Sequence, residues 1–249
     1  MPDGRLMITF GKLDPDGTSG AAYSLSNDDG LTWGAFTFFS TPVSETAAFS
    51  PGVLTVNGTV YSVAYGSQSD GSSNANLWTS VDNGSTWSLL SEIRQTNDVG
   101  INETGIAQVG ATSLLAISRD DLNLNTWGHF SNDFGLTWSS QVDYTAQVGV
   151  LQDPQLVQTR TALLLFGRQY DTTKSPNEMV AFASYDGGLT FADRTVLDTY
   201  TGLPIDGGYC WPLLRSDGKI FLVYYADSNN LREPDIKSLV LQWDRKSAN

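Results

Sequence analysis

Ser131-Asn132-Asp133-Phe134-Gly135-Leu136-Thr137-Trp138 is one of four segments of the chain that align without gaps. The others are Ser26-Asn27-Asp28-Asp29-Gly30-Leu31-Thr32-Trp33, Ser80-Val81-Asp82-Asn83-Gly84-Ser85-Thr86-Trp87 and Ser184-Tyr185-Asp186-Gly187-Gly188-Leu189-Thr190-Phe191. Their aspartates fall at 28, 82, 133 and 186, at intervals of 54, 51 and 53 residues. A period near this length is the scale of a β-propeller blade. The chemistry of each segment is that of a tight turn. The short Asp side chain accepts bonds from backbone N–H groups just ahead of it. Gly supplies a positive φ at little steric cost. The closing Trp or Phe is a large apolar plug between neighbouring sheets. Each segment is expected to join the last two strands of a blade.

A second repeat runs in phase with the first. Short apolar strands stand at Leu6–Phe10, Val60–Tyr65, Leu114–Ser118, Leu163–Phe166 and Ile220–Tyr225, most of them after a turn signal such as Asn57-Gly58 or Asp217-Gly218. They read as the second strand of each blade. Upstream of four of them lies another short strand with Pro or Gly near its start: Ser50-Pro51-Gly52, Asn102-Glu103-Thr104-Gly105, Asp153-Pro154-Gln155 and Tyr209-Cys210-Trp211-Pro212. The expected fold is therefore all-β: a propeller of about five four-stranded blades in one domain. The first blade lacks its innermost strand and the last its outer one. No helix is expected. The 98–105 window is too polar and Gly-punctuated, and 172–178 reads as a loop.

Composition excludes several classes. With 27 acidic and 14 basic residues among 249, the net charge is −13, and only 16% of residues are charged. Nucleic acid and anionic membrane surfaces need a positive footprint, so neither is an expected partner. A single cysteine, Cys210, and a single histidine, His129, exclude an intrachain disulfide and a Cys- or His-rich metal cluster. No apolar run is long enough to span a bilayer. Met1-Pro2-Asp3-Gly4-Arg5-Leu6 does not read as a signal peptide.

These turns and their spacing resemble the Asp boxes of the sialidase superfamily, and the likeness covers nearly the whole chain. The Asp box marks a blade turn rather than an activity. More informative matches lie between the boxes. Asn102-Glu103-Thr104-Gly105, followed by Leu114-Leu115-Ala116-Ile117-Ser118-Arg119-Asp120-Asp121, is similar to a sialidase segment in which a Glu opens one strand and an Arg ends the next. The resemblance implies that Glu103 is the base that activates a tyrosine. Arg119 would be one of the arginines that clamp a substrate carboxylate, and Arg168 is placed like another. The stretch from Gly207 to Tyr224 resembles the segment that carries the nucleophile, which would be Tyr209. The family's first Arg, in an Arg-Ile-Pro-like strand, has no counterpart here. Asp14 and Asp16 stand roughly where the family carries its acid.

Strand order points to one cleft without the family. Glu103, Asp153 and Tyr209 open innermost strands, whereas Arg119 and Arg168 close second strands. Adjacent strands run antiparallel, so the start of one lies beside the end of the next. All five residues should face the central axis. Arg offers a planar fork for a carboxylate, and a phenol beside a carboxylate can lose its proton as it attacks. Asp153 would contact the substrate or serve as a turn residue ahead of Pro154. The implied activity is a glycoside hydrolase cleaving a terminal acidic sugar, with a glycan as partner and no cofactor, at an extracellular or secreted location. The alternatives are a non-catalytic propeller that binds glycan or protein, and a polysaccharide lyase on the same scaffold.

Overall fold

The computed structural model describes residues 1–13, 19–38, 47–67, 73–93, 100–120, 122–169, 177–200, 207–226 and 235–243, with main chain only at 10–13, 19–21, 47–52 and 67. It is a five-bladed β-propeller in which every strand pairing is antiparallel and every pair is adjacent in sequence. The first blade holds β1 (Leu6–Leu13), β2 (Ser19–Ser26) and β3 (Thr37–Phe38). The second holds β4 (Ala47–Val56), β5 (Thr59–Ser67), β6 (Ser73–Ser80) and β7 (Ser88–Glu92). In the third are β8 (Ile101–Gln108), β9 (Leu114–Asp120), β10 (Thr126–Ser131) and β11 (Val142–Asp143). The fourth follows a single helical turn, α1 (Thr145–Val148), and contains β12 (Leu151–Gln158), β13 (Leu163–Gln169), β14 (Asn177–Ser184) and β15 (Ala192–Tyr200). The fifth contains β16 (Cys210–Leu214), β17 (Ile220–Ala226) and β18 (Asp235–Leu241).

Among the described residues the first and last sheets are three-stranded and the other three are four-stranded, as the repeat pattern predicts. The one departure is α1. It is four residues long, too short to leave a periodic signal, and its Val148 is buried. It forms where Tyr144 plugs the interface between the third and fourth blades, with its hydroxyl donating to the Gly188 carbonyl.

The four Asp boxes superimpose in detail. In the fourth blade Asp186 accepts the Thr190 amide at 3.0 Å and the Thr190 hydroxyl at 2.6 Å, and the Ser184 hydroxyl donates to it at 2.7 Å. The same Ser oxygen accepts the Gly188 amide at 2.8 Å. Each box contains two successive left-handed residues rather than the one expected from its Gly. The first is Asp29, Asn83, Phe134 or Gly187, at φ 57, 57, 58 and 74°.

The core is a set of layers between blades. Leu164, Phe166, Met179 and Ala181 of the fourth blade pack on Cys210, Ile220, Leu222 and Tyr224 of the fifth. Leu115 and Ile117 of the third pack on Leu151, Leu165 and Val180 of the fourth. A second strand is thus covered on both faces, which is why Leu114–Ile117 and Leu163–Phe166 are continuous apolar runs instead of alternating ones. Burying each such side chain contributes roughly 1.5–3 kcal/mol. The innermost strands ring one axis. Val53 of β4, Thr104 and Ile106 of β8, Gln155 of β12 and Trp211 of β16 all line a cavity of about 140 Å³ there.

Candidate active site

The upper rim of the axis is built by two devices repeated from blade to blade. The first is a break in register near the start of an inner strand, between Phe49 and Val53 in β4, Ile101 and Thr104 in β8, and Gln152 and Gln155 in β12. Such β-bulges re-aim side chains and expose unpaired amides. They carry Asn102 and Glu103 in the third blade and Asp153 and Pro154 in the fourth. Asp153 sits at φ 48°, a region uncommon for any residue but Gly. Pro154 has no N–H to leave unpaired in the bulge.

The second device is a fixed slot on the second strand. Leu6, Val60, Leu114, Leu163 and Ile220 pair with equivalent residues of the third strands. Five residues further on, each second strand reaches the rim, and the occupants are Gly11, Tyr65, Arg119, Arg168 and Tyr225. Two arginines therefore stand between two tyrosines around one opening.

Glu103, Arg119 and Tyr209 come together. Arg119 Nη1–H donates to Glu103 Oε1 at 2.9 Å and to the Tyr209 oxygen at 3.3 Å. The Tyr209 hydroxyl donates to the same Glu103 Oε1. Glu103 is 3% exposed, whereas Arg119 and Tyr209 keep partial access to solvent. The Tyr209 ring stacks on Tyr225 at a centroid distance of 5.8 Å and an interplanar angle of 17°. Burial, and next the negative charge of Glu103, hold the Tyr209 phenol above the ordinary tyrosine range, with Arg119 pulling the other way. These influences favour the protonated phenol, and its O–H is directed at Glu103 Oε1.

Asp153 and Arg168 lie beneath this trio. Asp153 has no accessible surface. Its backbone N–H donates to Glu103 Oε2 at 2.9 Å, its Oδ2 accepts the Cys210 amide at 2.8 Å, and its Oδ1 accepts the Gln155 side-chain amide at 2.9 Å. The expected substrate contact at Asp153 thus has no surface to make it, and any part it plays runs through the groups it holds. Burial, reinforced by the charge of Glu103, pushes its carboxyl up to about 8. Arg168 is 1% exposed and donates to Gln152 Oε1 at 2.9 Å. Gly208 covers it, and a Cβ there would lie 2.9 Å from Arg168 Cβ and 2.6 Å from the Tyr200 hydroxyl. Asp14, Asp16 and Asp121 lie outside the described residues. Sequence reasoning missed Tyr225, Tyr65 and Gln152. The fixed slot on the second strand would have revealed the two tyrosines. Gln152 carried no signal.

The fold is the β-propeller expected from the repeats, and it recurs in solved structures. A protein of unknown function from Dyadobacter fermentans DSM 18053 superposes with a TM-score of 0.79 at 18% identity, over 96% of this chain and 73% of that one. The Hadza microbial sialidase Hz136 gives 0.68 at 21% identity, over 92% of this chain and 45% of that one. The chain thus spans less than half the length of that sialidase. An exo-1,5-α-L-arabinanase from a bovine ruminal metagenomic library gives 0.69 at 14% identity, over 98% and 91% of the two chains. At these identities the likeness is one of fold. No protein-family model matches the chain, and no curated protein matches it.

Proposed function

We propose that this propeller is a glycoside hydrolase of the sialidase type, acting on a terminal acidic sugar. The observation that carries the reading is the shared Glu103 oxygen, which accepts the Tyr209 hydroxyl and the Arg119 guanidinium together in a partly open cleft. A neutral phenol is a suitable nucleophile for an anomeric carbon that bears a carboxylate, because an anionic side chain would be repelled. As the Tyr209 oxygen bonds to that carbon, its proton passes to Glu103 Oε1. The glycosidic C–O bond breaks, and the leaving oxygen takes a proton from a separate acid. Water then attacks the glycosyl–tyrosine bond, Glu103 returns its proton to Tyr209, and the acid group recovers one from the water.

Arg119 is the cation exposed to a substrate carboxylate. Arg168 is buried under Gly208 and would meet the substrate only if that cover shifts. The test is turnover of a fluorogenic sialoside by the wild type and by Tyr209→Phe. Wild-type turnover, lost by at least about 10³-fold in the variant, is the expected result. No turnover by the wild type across a wide pH range overturns the sialidase reading. Glycan binding without product release would establish a binding propeller instead, the reading favoured by the burial of Arg168.

A further inference from the structure

We infer that Asp153 is a positioning residue that joins the proposed base to the proposed nucleophile across three blades; this rests on the roles proposed above for Glu103 and Tyr209. The two members of the pair come from different sheets. Glu103 sits in the β8 bulge of the third blade, and Tyr209 stands just ahead of β16 in the fifth. No backbone ladder links those strands, since each blade is a separate sheet. Their relative placement must come from side chains or from irregular backbone, and Asp153, in the blade between them, supplies both.

Its main chain fixes Glu103. The carboxylate has two oxygens, and Oε1 is occupied by Tyr209 and Arg119. Oε2 accepts the Asp153 N–H at 2.9 Å. That amide is available because the bulge between Gln152 and Gln155 removes it from the β12–β13 ladder, and the left-handed φ of 48° sets its direction. Its side chain fixes Tyr209. Oδ2 accepts the amide of Cys210, the next residue in the chain, at 2.8 Å, while the Gln155 amide holds Oδ1. One residue therefore restrains Glu103 from below and the Tyr209 backbone from the side. The packing around it is tight. At Gly105 a Cβ would lie 2.9 Å from Gln155 Cα, so β8 and β12 approach as closely as their backbones allow.

Two variants separate this role from a merely structural one. Asp153→Gly keeps the left-handed backbone without strain and deletes the side-chain links to Cys210 and Gln155 while leaving the main-chain N–H that meets Glu103. Asp153→Asn keeps an acceptor for Cys210, with the Gln155 amide turned to accept from the new NH₂ group. Two readouts are compared: sialoside kinetics, and titration of Tyr209 by NMR of ¹³Cζ-labelled tyrosine, assigned with Tyr209→Phe. The expected result for Asp153→Gly is a fall in kcat on the order of 10²-fold at little-changed KM, the size of effect that misplaced reacting groups produce. Its Tyr209 titration should also move down toward the ordinary tyrosine value. Asp153→Asn should stay near the wild type in both. Unchanged kcat and Tyr209 titration in Asp153→Gly would overturn the inference, as would equal losses in the two variants. If the wild type turns over no sialoside, the functional reading fails by itself, and the Tyr209 titration still decides the positioning role.

Discussion

Asp153 also leaves a signature in stability. Its carboxyl is pushed up to about 8, first by burial and then by the charge of Glu103. An unfolded chain releases that proton near the ordinary aspartate pKa of about 3.9. The stability the proton provides is complete below that value and is lost as pH rises through about 8. Denaturant midpoints measured between pH 4 and 8 should therefore decline for the wild type, and Asp153→Asn should flatten the decline. At this scale the sequence was informative about direction and silent about depth. Glu103, Arg119 and Tyr209 were legible because strand order alone brings the start of one strand beside the end of the next. The complete burial of Asp153 and Arg168 was not. It depends on a two-residue bulge and on Gly207 and Gly208 at φ 92 and 73°, features set by packing between blades rather than by any local pattern.

The Asp boxes dominate at the scale of elements. Ser184 pairs with Leu163, at the far end of β13 from Arg168, so the box lies at the opposite end of the blade from the rim. Asp186→Ala removes the acceptor of two Thr190 bonds and one from Ser184. The expected cost is about 1–2 kcal/mol, a few degrees in Tm for a domain of this size. Thermal melts should show that shift while the kinetics at the rim stay unchanged. The boxes were read correctly as turns because Asp, Gly and the closing aromatic each have a local reason to be there. The extra left-handed residue ahead of each Gly was missed because, although Asp29, Asn83 and Gly187 suit that conformation, Phe134 at the same position does not. Phe134 holds that conformation while packing on the core between the second and third blades.

For the molecule as a whole, order should follow the layering. β9 and β13 are paired on both sides and covered on both faces by neighbouring blades. β1 is paired on one side among the described residues, and its Leu6 and Ile8 are 44% and 45% exposed. Native-state hydrogen exchange should find the amides of β9 and β13 the last to exchange and those of β1 well ahead of them. Equal protection in all three would contradict this layered account. The number of blades, and the three strands that the first and last sheets show among the described residues, were visible in the sequence, because a repeat reports its own phase. The cavity on the axis was not, since its walls come from four strands far apart in the chain.

The slot shared by Tyr65, Arg119, Arg168 and Tyr225 makes the rim modular. In the second to fifth blades the slot brings one second-strand side chain to the rim, beside the inner-strand Glu103 and Tyr209, and it lies at the end of a strand whose remaining residues carry the core. At Tyr65, Arg119 and Tyr225, which keep partial access to solvent, point changes can therefore be made one blade at a time without touching the interior, to which the buried Arg168 belongs. For a designer, Tyr65 is the obvious entry to edit, because an arginine there would extend the cationic arc onto a neighbouring blade.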